Sequence, residues 1–284
     1  MFRFNKITYI LSRIFIAVII VGILFPLIWI LSLSFRDSSH IFQAYGFIIP
    51  KYLRPQNYLD ALNFYNNVLE VNFFRMFLNS IIVTGATLLL AISSAAIASY
   101  AFSHLKFILK DMLYFLLVIS MMIPAQILII PLFYLFSKIK LLDTYLAIIL
   151  PYTALGIPIC VLILTSFFQN IPKELRDAAV IDGASDFTYF IKIVMPLSKA
   201  ALATCVIFLF LFAWNEFLMA SVFIKNNTIL PVPVGMSLLK GGPYIVPWGV
   251  YAAAINLSIF PVLITFLVFQ KWFIRGVTLG ALKG

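Results

Sequence analysis

The chain has 284 residues, 63% of them hydrophobic and 11% charged, where soluble globular proteins carry roughly 45–50% apolar and roughly 25% charged residues. So few charges cannot cover the surface of a water-soluble domain of this length, and the composition describes a chain dissolved in lipid. A formal charge of +10 on a soluble protein would suggest nucleic acid, but here Lys and Arg fall between long apolar runs, the pattern of membrane topology and not of a phosphate-binding face.

Six runs with few or no charges reach the roughly 20 residues that cross a hydrocarbon core as a helix. They cover 14–35, 77–102, 112–136, 145–168, 200–224 and 250–270. Their continuity predicts helices and not the polar–apolar alternation of barrel strands, so the fold class is an all-α membrane protein. The first run follows Arg3, Lys6 and Arg13, as a signal peptide would. It continues through Pro26 and Trp29 to Arg36 and Asp37 without a small-x-small cleavage pattern, which predicts a retained helix. The expected organisation is a cytoplasmic N-terminus over 1–13, one membrane domain over 14–273 and a cytoplasmic tail over 274–284.

Pro26, Pro124, Pro131, Pro151, Pro158 and Pro261 inside or at the ends of these runs predict kinks. The small-residue run over 91–100 predicts close helix packing in lipid. An even number of spans puts both termini on one side. If that side is the cytoplasm, it holds the larger share of the 20 Lys and Arg, including Lys106, Lys110, Lys173, Arg176, Lys192, Lys199 and Lys271. The expected topology is therefore N-in, C-in.

Chemistry of other kinds finds no support. Cys160 and Cys205 stand singly inside apolar runs, and His40 and His104 are isolated, so neither a metal site nor a nucleophile–base grouping is expected. No G-x-x-x-x-G-K-[ST] phosphate loop occurs, so any nucleotide must bind elsewhere.

The most charged loop on the cytoplasmic side covers 169–198. Pro172 suits a first helical turn, and Glu174 and Asp177 place carboxylates near a helix N-terminus. Asp182-Gly183 is a turn dipeptide, with Gly183 supplying a tight bend. Ser185 and Asp186 then offer a fresh N-cap before a second helix over 187–194, ended by Pro196. The segment is predicted as helix, turn, helix. Leu175, Ala178, Ala179 and Asp182 share one face of the first helix, a small knob suited to a partner's groove.

The pattern Asp177-Ala-Ala-x-x-Asp182-Gly183-Ala184, followed by Ile193-x-x-Pro196, resembles the coupling loop of bacterial ATP-binding-cassette importer permeases. That family's pattern begins with Glu-Ala-Ala. Asp177 shortens the carboxylate by one methylene and keeps its charge. Trp214-Asn-Glu-Phe217 and the closing stretch from Phe269 to Gly284 are similar to carbohydrate-importer permeases, particularly the maltose-type second membrane subunit.

The resemblance implies an importer-permease fold that forms half of a translocation pore and imports a sugar or oligosaccharide by alternating access. It implies four kinds of partner besides the bilayer: a second homologous permease, two ATPase subunits, an extracytoplasmic solute-binding protein and the carbohydrate itself. ATP and Mg would sit on the ATPase subunits, with no cofactor on this chain. Glu174, Asp177, Ala178, Ala179, Asp182, Gly183, Ala184 and Pro196 would carry the contact to the ATPase. Arg275, Gly276, Gly280 and Lys283 in the tail would lie against the ATPases.

Within the spans, Glu216 is the one ionisable group well inside, and Trp214, Asn215 and Glu216 together offer what sugars use. The other reading is that Glu216 bonds a neighbouring helix and holds a gate. Gln126, Tyr152 and Asn256 either line the same path or bond between helices.

Two outer loops complete the expectations. The first carries Tyr45, Phe47, Tyr52, Tyr58, Phe64 and Tyr65, an interfacial belt or a docking surface. The second is predicted as a constrained, hairpin-like excursion through Pro231, Pro233, Gly235, Gly241, Gly242 and Pro243. The competing class is a stand-alone secondary transporter or channel, which would need coupling ions or a filter within its own spans.

Overall fold

The computed structural model describes residues 6–37, 53–63, 65–66, 71–241 and 247–281. Tyr45, Phe47, Tyr52, Phe64, Gly242, Pro243 and Lys283 lie outside them, and Arg275, Gly276 and Gly280 are described only as helical backbone.

Helix α1 (Lys6–Ser34) is followed by α2 (Gln56–Asn63) and a two-residue antiparallel pair, β1 (Tyr65–Asn66) against β2 (Val71–Asn72). The pair delivers the chain to α3 (Phe73–His104), whose N-cap Asn72 accepts the Arg75 N–H at 2.9 Å. Next come α4 (Lys110–Ser120) and α5 (Ile129–Lys138), joined through a 3-10 turn at Ala125–Leu128, and then α6 (Leu146–Phe168). The segment after it holds α7 (Lys173–Ile181), α8 (Asp186–Tyr189), a π turn at Phe190–Val194 and α9 (Met195–Leu197). The chain ends with α10 (Lys199–Asn215), α11 (Leu218–Phe223), α12 (Val232–Gly241) and α13 (Trp248–Ala281).

The α3–α6 pair is the centre of the bundle. The small-residue run behaves as expected: Ala91, Ala95, Ala96 and Ser99 are buried against Cys160, Val161 and Leu164, and the Ser99 hydroxyl donates to the Val161 carbonyl at 3.3 Å. Gly156 lets α10 join this pair, because a Cβ there would collide with the Leu209 side chain and lie 3.7 Å from Ala91. Three apolar clusters are strung along α3, one toward α7 and α8, one around Tyr152 and Phe223, and one uniting Phe73 and Met76 with α12 and α13.

Among the described residues, four helices are long and apolar enough to cross a membrane, and six if each bent pair counts as one span. The first, second, fourth and sixth expected runs correspond to α1, α3, α6 and α13. The run over 112–136, expected as one span, is instead two helices bent by 93°. Pro124, which has no N–H to pair, sits at the corner, and the turn before it closes through Met122 N–H to Ile119 O at 2.9 Å and Ile123 N–H to Ser120 O at 3.2 Å. The second bent pair joins Asp186–Leu197 to α10 at 75°, and the run over 200–224 breaks separately, with extended backbone at Glu216 between α10 and α11. Pro26, Pro151, Pro158 and Pro261 stand inside uninterrupted helices, so the sharp bends fall at only some of the prolines.

The hairpin-like excursion expected after 225 is a helix, α12. It is drawn into the bundle because Pro231, Val232 and Val234 are buried and Asn79 of α3 donates to the carbonyls of Thr228 and Leu230, each at 3.0 Å. The Tyr145 hydroxyl donates to the same Asn79 at 2.6 Å, and the Val232 N–H donates to Ser80 Oγ at 2.8 Å.

Beside the start of α13, Asn57 Nδ2 donates to the carbonyls of Ser34 and Arg36, each at 2.8 Å. A Cβ on Gly249 would strike the Arg36 carbonyl oxygen and come within 2.6 Å of Asn57 Nδ2. Gly249→Ala is therefore expected to destabilise the chain by about 1–3 kcal/mol, lowering its thermal aggregation midpoint in detergent. Gly22→Ala, with nothing within 4 Å of the added methyl and Ala favoured over Gly inside a helix, is expected not to lower that midpoint.

Candidate functional site

The segment from Gln169 to Ser198 is built from local rules. Pro172 occupies the N-cap of α7 with φ −56° and ψ 134°, and Glu174 stands in the first turn. At the far end the Gly183 N–H donates to Val180 O at 3.0 Å and the Ala184 N–H to Ala179 O at 2.9 Å. Those two bonds, with Gly183 at φ +76°, are the Schellman closure of a helix. Ser185 then caps α8, its hydroxyl accepting the Thr188 N–H at 3.2 Å. The expected helix, bend and fresh N-cap are all present. The second helix departs from expectation: after one α turn it widens into the π turn, and Pro196 lies within α9 and not beyond the helix end.

The one-face knob is also corrected. Ala179 is 6% exposed and belongs to the bundle's own core with Tyr189, Phe190 and Val194, while Leu175, Ala178 and Asp182 are exposed. Because α7 lies against its own bundle, the helix divides its alanines between inside and outside. Its outward surface carries Val180 at 63% exposure and Ile181 at 85%, with Phe187 of α8 at 73%. Glu174, Asp177 and Asp182 are exposed on the same two-helix segment. Apolar side chains offered on a charged segment are the composition of a protein-docking surface.

Sequence reasoning gave Arg176 no site role. Its Nη1 donates to the carbonyl of His104, the last residue of α3, at 3.0 Å, and its Nη2 pairs with Asp186 Oδ1 at 3.1 Å. The same Asp186 oxygen accepts the Tyr100 hydroxyl at 3.1 Å, and the Tyr100 and His104 rings stack with centroids 4.9 Å apart. No sequence signal marks the contact between Arg176 and α3, because its partner lies 72 residues away.

Most of the residues expected along a translocation path are committed to the scaffold. Glu216 accepts the N–H groups of Met219 at 2.8 Å and Ala220 at 3.2 Å, capping α11, and the buried Tyr152 hydroxyl donates to the same carboxylate. Trp214 is buried, stacks on Phe210 and donates Nε1–H to the Ser258 carbonyl at 3.1 Å. Asn256 donates to Ile30 O and to the Tyr58 hydroxyl, each at 3.4 Å. Asn215 is exposed and donates back to Leu211 O at 2.8 Å. Of the path residues expected, Gln126 alone lines the 780 Å³ cavity at the α4–α5 bend, whose walls include Pro124, Leu132, Phe136, Pro151, Pro158 and Phe212.

Of the two readings open at Glu216, the arrangement agrees with the one in which it bonds a neighbouring helix, and it adds a cap on α11. Glu216→Ala frees two N–H groups and the Tyr152 hydroxyl, and is expected to cost about 1–3 kcal/mol of stability. Glu216→Gln keeps an acceptor oxygen and is expected to lose less. Thermal unfolding of the purified variants measures both, and equal losses would remove the cap from the account.

A family model described as binding-protein-dependent transport system inner membrane component matches residues 88–279. The chain is similar to the trehalose/maltose transport system permease protein of Thermococcus litoralis, 34% identical over 99% of this chain and 98% of that protein. It is similar to the sulfoquinovosyl glycerol transport system permease protein of Agrobacterium fabrum, 34% identical over 94% and 92%. A probable ABC transporter permease protein of Bacillus subtilis is 32% identical over 95% and 87%. The fold is shared with a chain from the crystal structure of a bacterial ABC transporter involved in the import of the acidic polysaccharide alginate. The TM-score is 0.81 at 23% identity, covering 96% of this chain and 99% of that one. With a family match over most of its length and relatives that align nearly end to end, the chain belongs to the inner membrane components of binding-protein-dependent transport systems.

Proposed function

We propose that this chain is one half of the translocation pore of an ATP-driven carbohydrate importer, and that the segment carrying α7 and α8 docks on a cytoplasmic ATPase. The observation that carries the reading is the closed helix, bend and helix at 173–189. It presents Val180, Ile181 and Phe187 to solvent on a charged and rigid mount. A displacement applied there reaches the bundle only if the mount does not flex, and the Schellman closure at Gly183 and the Ser185 cap supply that stiffness.

The topology that goes with this is six spans, N-in and C-in, with the bent pair of α4 and α5 counted as one span and the fifth span beginning at α10, so that α8 stays outside the spans. The docking surface then faces the cytoplasm. A second permease completes the pore, two ATPase subunits bind ATP and Mg, and an extracytoplasmic protein delivers the solute. This chain does no chemistry of its own. A carbohydrate substrate is supported by the relatives' names, which include transport of trehalose/maltose, sulfoquinovosyl glycerol and arabinooligosaccharides. Closure of the ATPase pair pulls the segment and tilts the spans between inward-open and outward-open arrangements. Since Tyr152, Trp214, Glu216 and Asn256 hold helices together, this half supplies chiefly the moving wall and gate.

Extraction of the tagged chain from its native membranes in mild detergent, followed by mass spectrometry and an ATPase assay, tests the reading. The expected result is recovery of a second permease and an ATP-binding-cassette ATPase with ATP hydrolysis. Ala at position 183 is strained at φ +76°, so Gly183→Ala is expected to lower ATPase recovery by about 5–30-fold. Recovery of the chain alone, or of full ATPase with Gly183→Ala, would contradict the docking site.

A further inference from the structure

We propose that Arg176, Asp186 and Tyr100 are positioning residues that fasten the docking segment to the end of α3, so that a pull on α7 reaches the α3–α6 pair directly. The proposal rests on the reading that α7 and α8 meet the ATPase.

By covalent connection alone, the segment is joined to α6 at one end and to α10 at the other. Each junction has a place to bend: the turn over Gln169–Ile171 before α7, and the π turn Phe190–Val194 after α8. Burial of Ala179, Tyr189 and Phe190 holds the segment against the bundle, but apolar packing is non-directional and lets surfaces slide. The Arg176 guanidinium adds a directed tie by spanning three helices from one side chain. It reaches α3 at the His104 carbonyl at 3.0 Å and α8 at Asp186 at 3.1 Å, while itself belonging to α7.

The acceptor on α3 suits a cation. The last carbonyls of a helix lack intrahelical partners and carry the negative end of its dipole, and α3 is 32 residues long. Tyr100 locks the other arm, since its hydroxyl donates at 3.1 Å to the Asp186 oxygen that Arg176 holds. The Tyr100 ring is buried between His104 and Phe190, at centroid distances of 4.9 Å and 5.1 Å, so that hydroxyl is aimed by packing.

The Arg176–Asp186 pair is 35% and 57% exposed, and pairs so exposed add little to folding stability. What the pair fixes is direction. A planar fork can hold two acceptors on different helices at once, which a lysine ammonium does less well.

The test uses the complete assembly of both permeases, ATPase subunits and binding protein in proteoliposomes. It reads solute carried per ATP hydrolysed, together with the ATPase content of each preparation. Arg176→Gln is expected to retain its ATPase subunits and to hydrolyse ATP, while the transport-to-ATP ratio falls by about threefold or more. Arg176→Lys is expected to recover part of that ratio. Tyr100→Phe keeps the ring packing and removes one hydroxyl. It is expected to lower the ratio in the parent and to have no further effect in an Asp186→Ala background, because both changes remove the same bond.

An unchanged ratio in Arg176→Gln and Tyr100→Phe with ATPase in place would overturn the proposal. So would a loss that follows only the amount of assembled complex and is not rescued by lysine. Should Arg176→Gln fail to assemble, Tyr100→Phe decides by the same ratio. If the parent chain holds no ATPase, the docking reading fails first and the proposal falls with it.

Discussion

A backbone N–H or C=O left unpaired in hydrocarbon costs several kcal/mol, so a helix can be broken inside a membrane only where other groups take over its hydrogen bonds. Much of this chain's architecture answers to that constraint. Between α10 and α11 the takeover is made by one acid: Glu216 receives two N–H groups of the following helix and the Tyr152 hydroxyl from α6. Between α4 and α5 the turn satisfies itself with short-range bonds and puts a proline, which has no N–H, at the corner. The segment following α11 is held by Asn79, whose amide and carbonyl oxygen together engage two backbone carbonyls and the Tyr145 hydroxyl.

This sets what the polar residues in the spans are free to do. A carboxylate that caps a helix and a Trp whose indole N–H is bonded to Ser258 O are anchors, and they fix how α6, α10, α11 and α13 sit against one another. The cavity at the α4–α5 bend is lined mainly by apolar side chains and prolines, with Gln126 and Ser120 among its few polar groups. Such a wall suits a moving gate better than a recognition site, which needs convergent donors and acceptors. Under the proposed function, recognition of the solute is therefore assigned to other members of the assembly, and docking to α7 and α8.

Local features were legible from residue types. Pro172, Gly183 and Ser185 announced the start of α7, its bend and the cap of α8, because each acts within a few residues of itself. The small-residue run of α3 announced a close neighbour, although not which one. Long-range features were not legible. The break at Glu216 depends on Tyr152, 64 residues away, and averaged hydropathy over 200–224 is blind to a change of direction. The prolines and glycines after 225 suggested an exposed excursion, yet Gly235 is what allows Met76 to approach, and α12 is packed inward. The alanine pair of α7 was expected to face a partner together. Its division between core and surface is set by where the bundle lies, and that information is tertiary.

Uptake of labelled sugar into proteoliposomes, with ATP enclosed on the side of the docking segment, tests the account most directly. Uptake is predicted only when this chain, a second permease, the ATPase subunits and the loaded binding protein are all present, and it should stop when ATP is omitted. Sugar accumulation by this chain alone, without ATP, would contradict the account and make it a self-sufficient carrier.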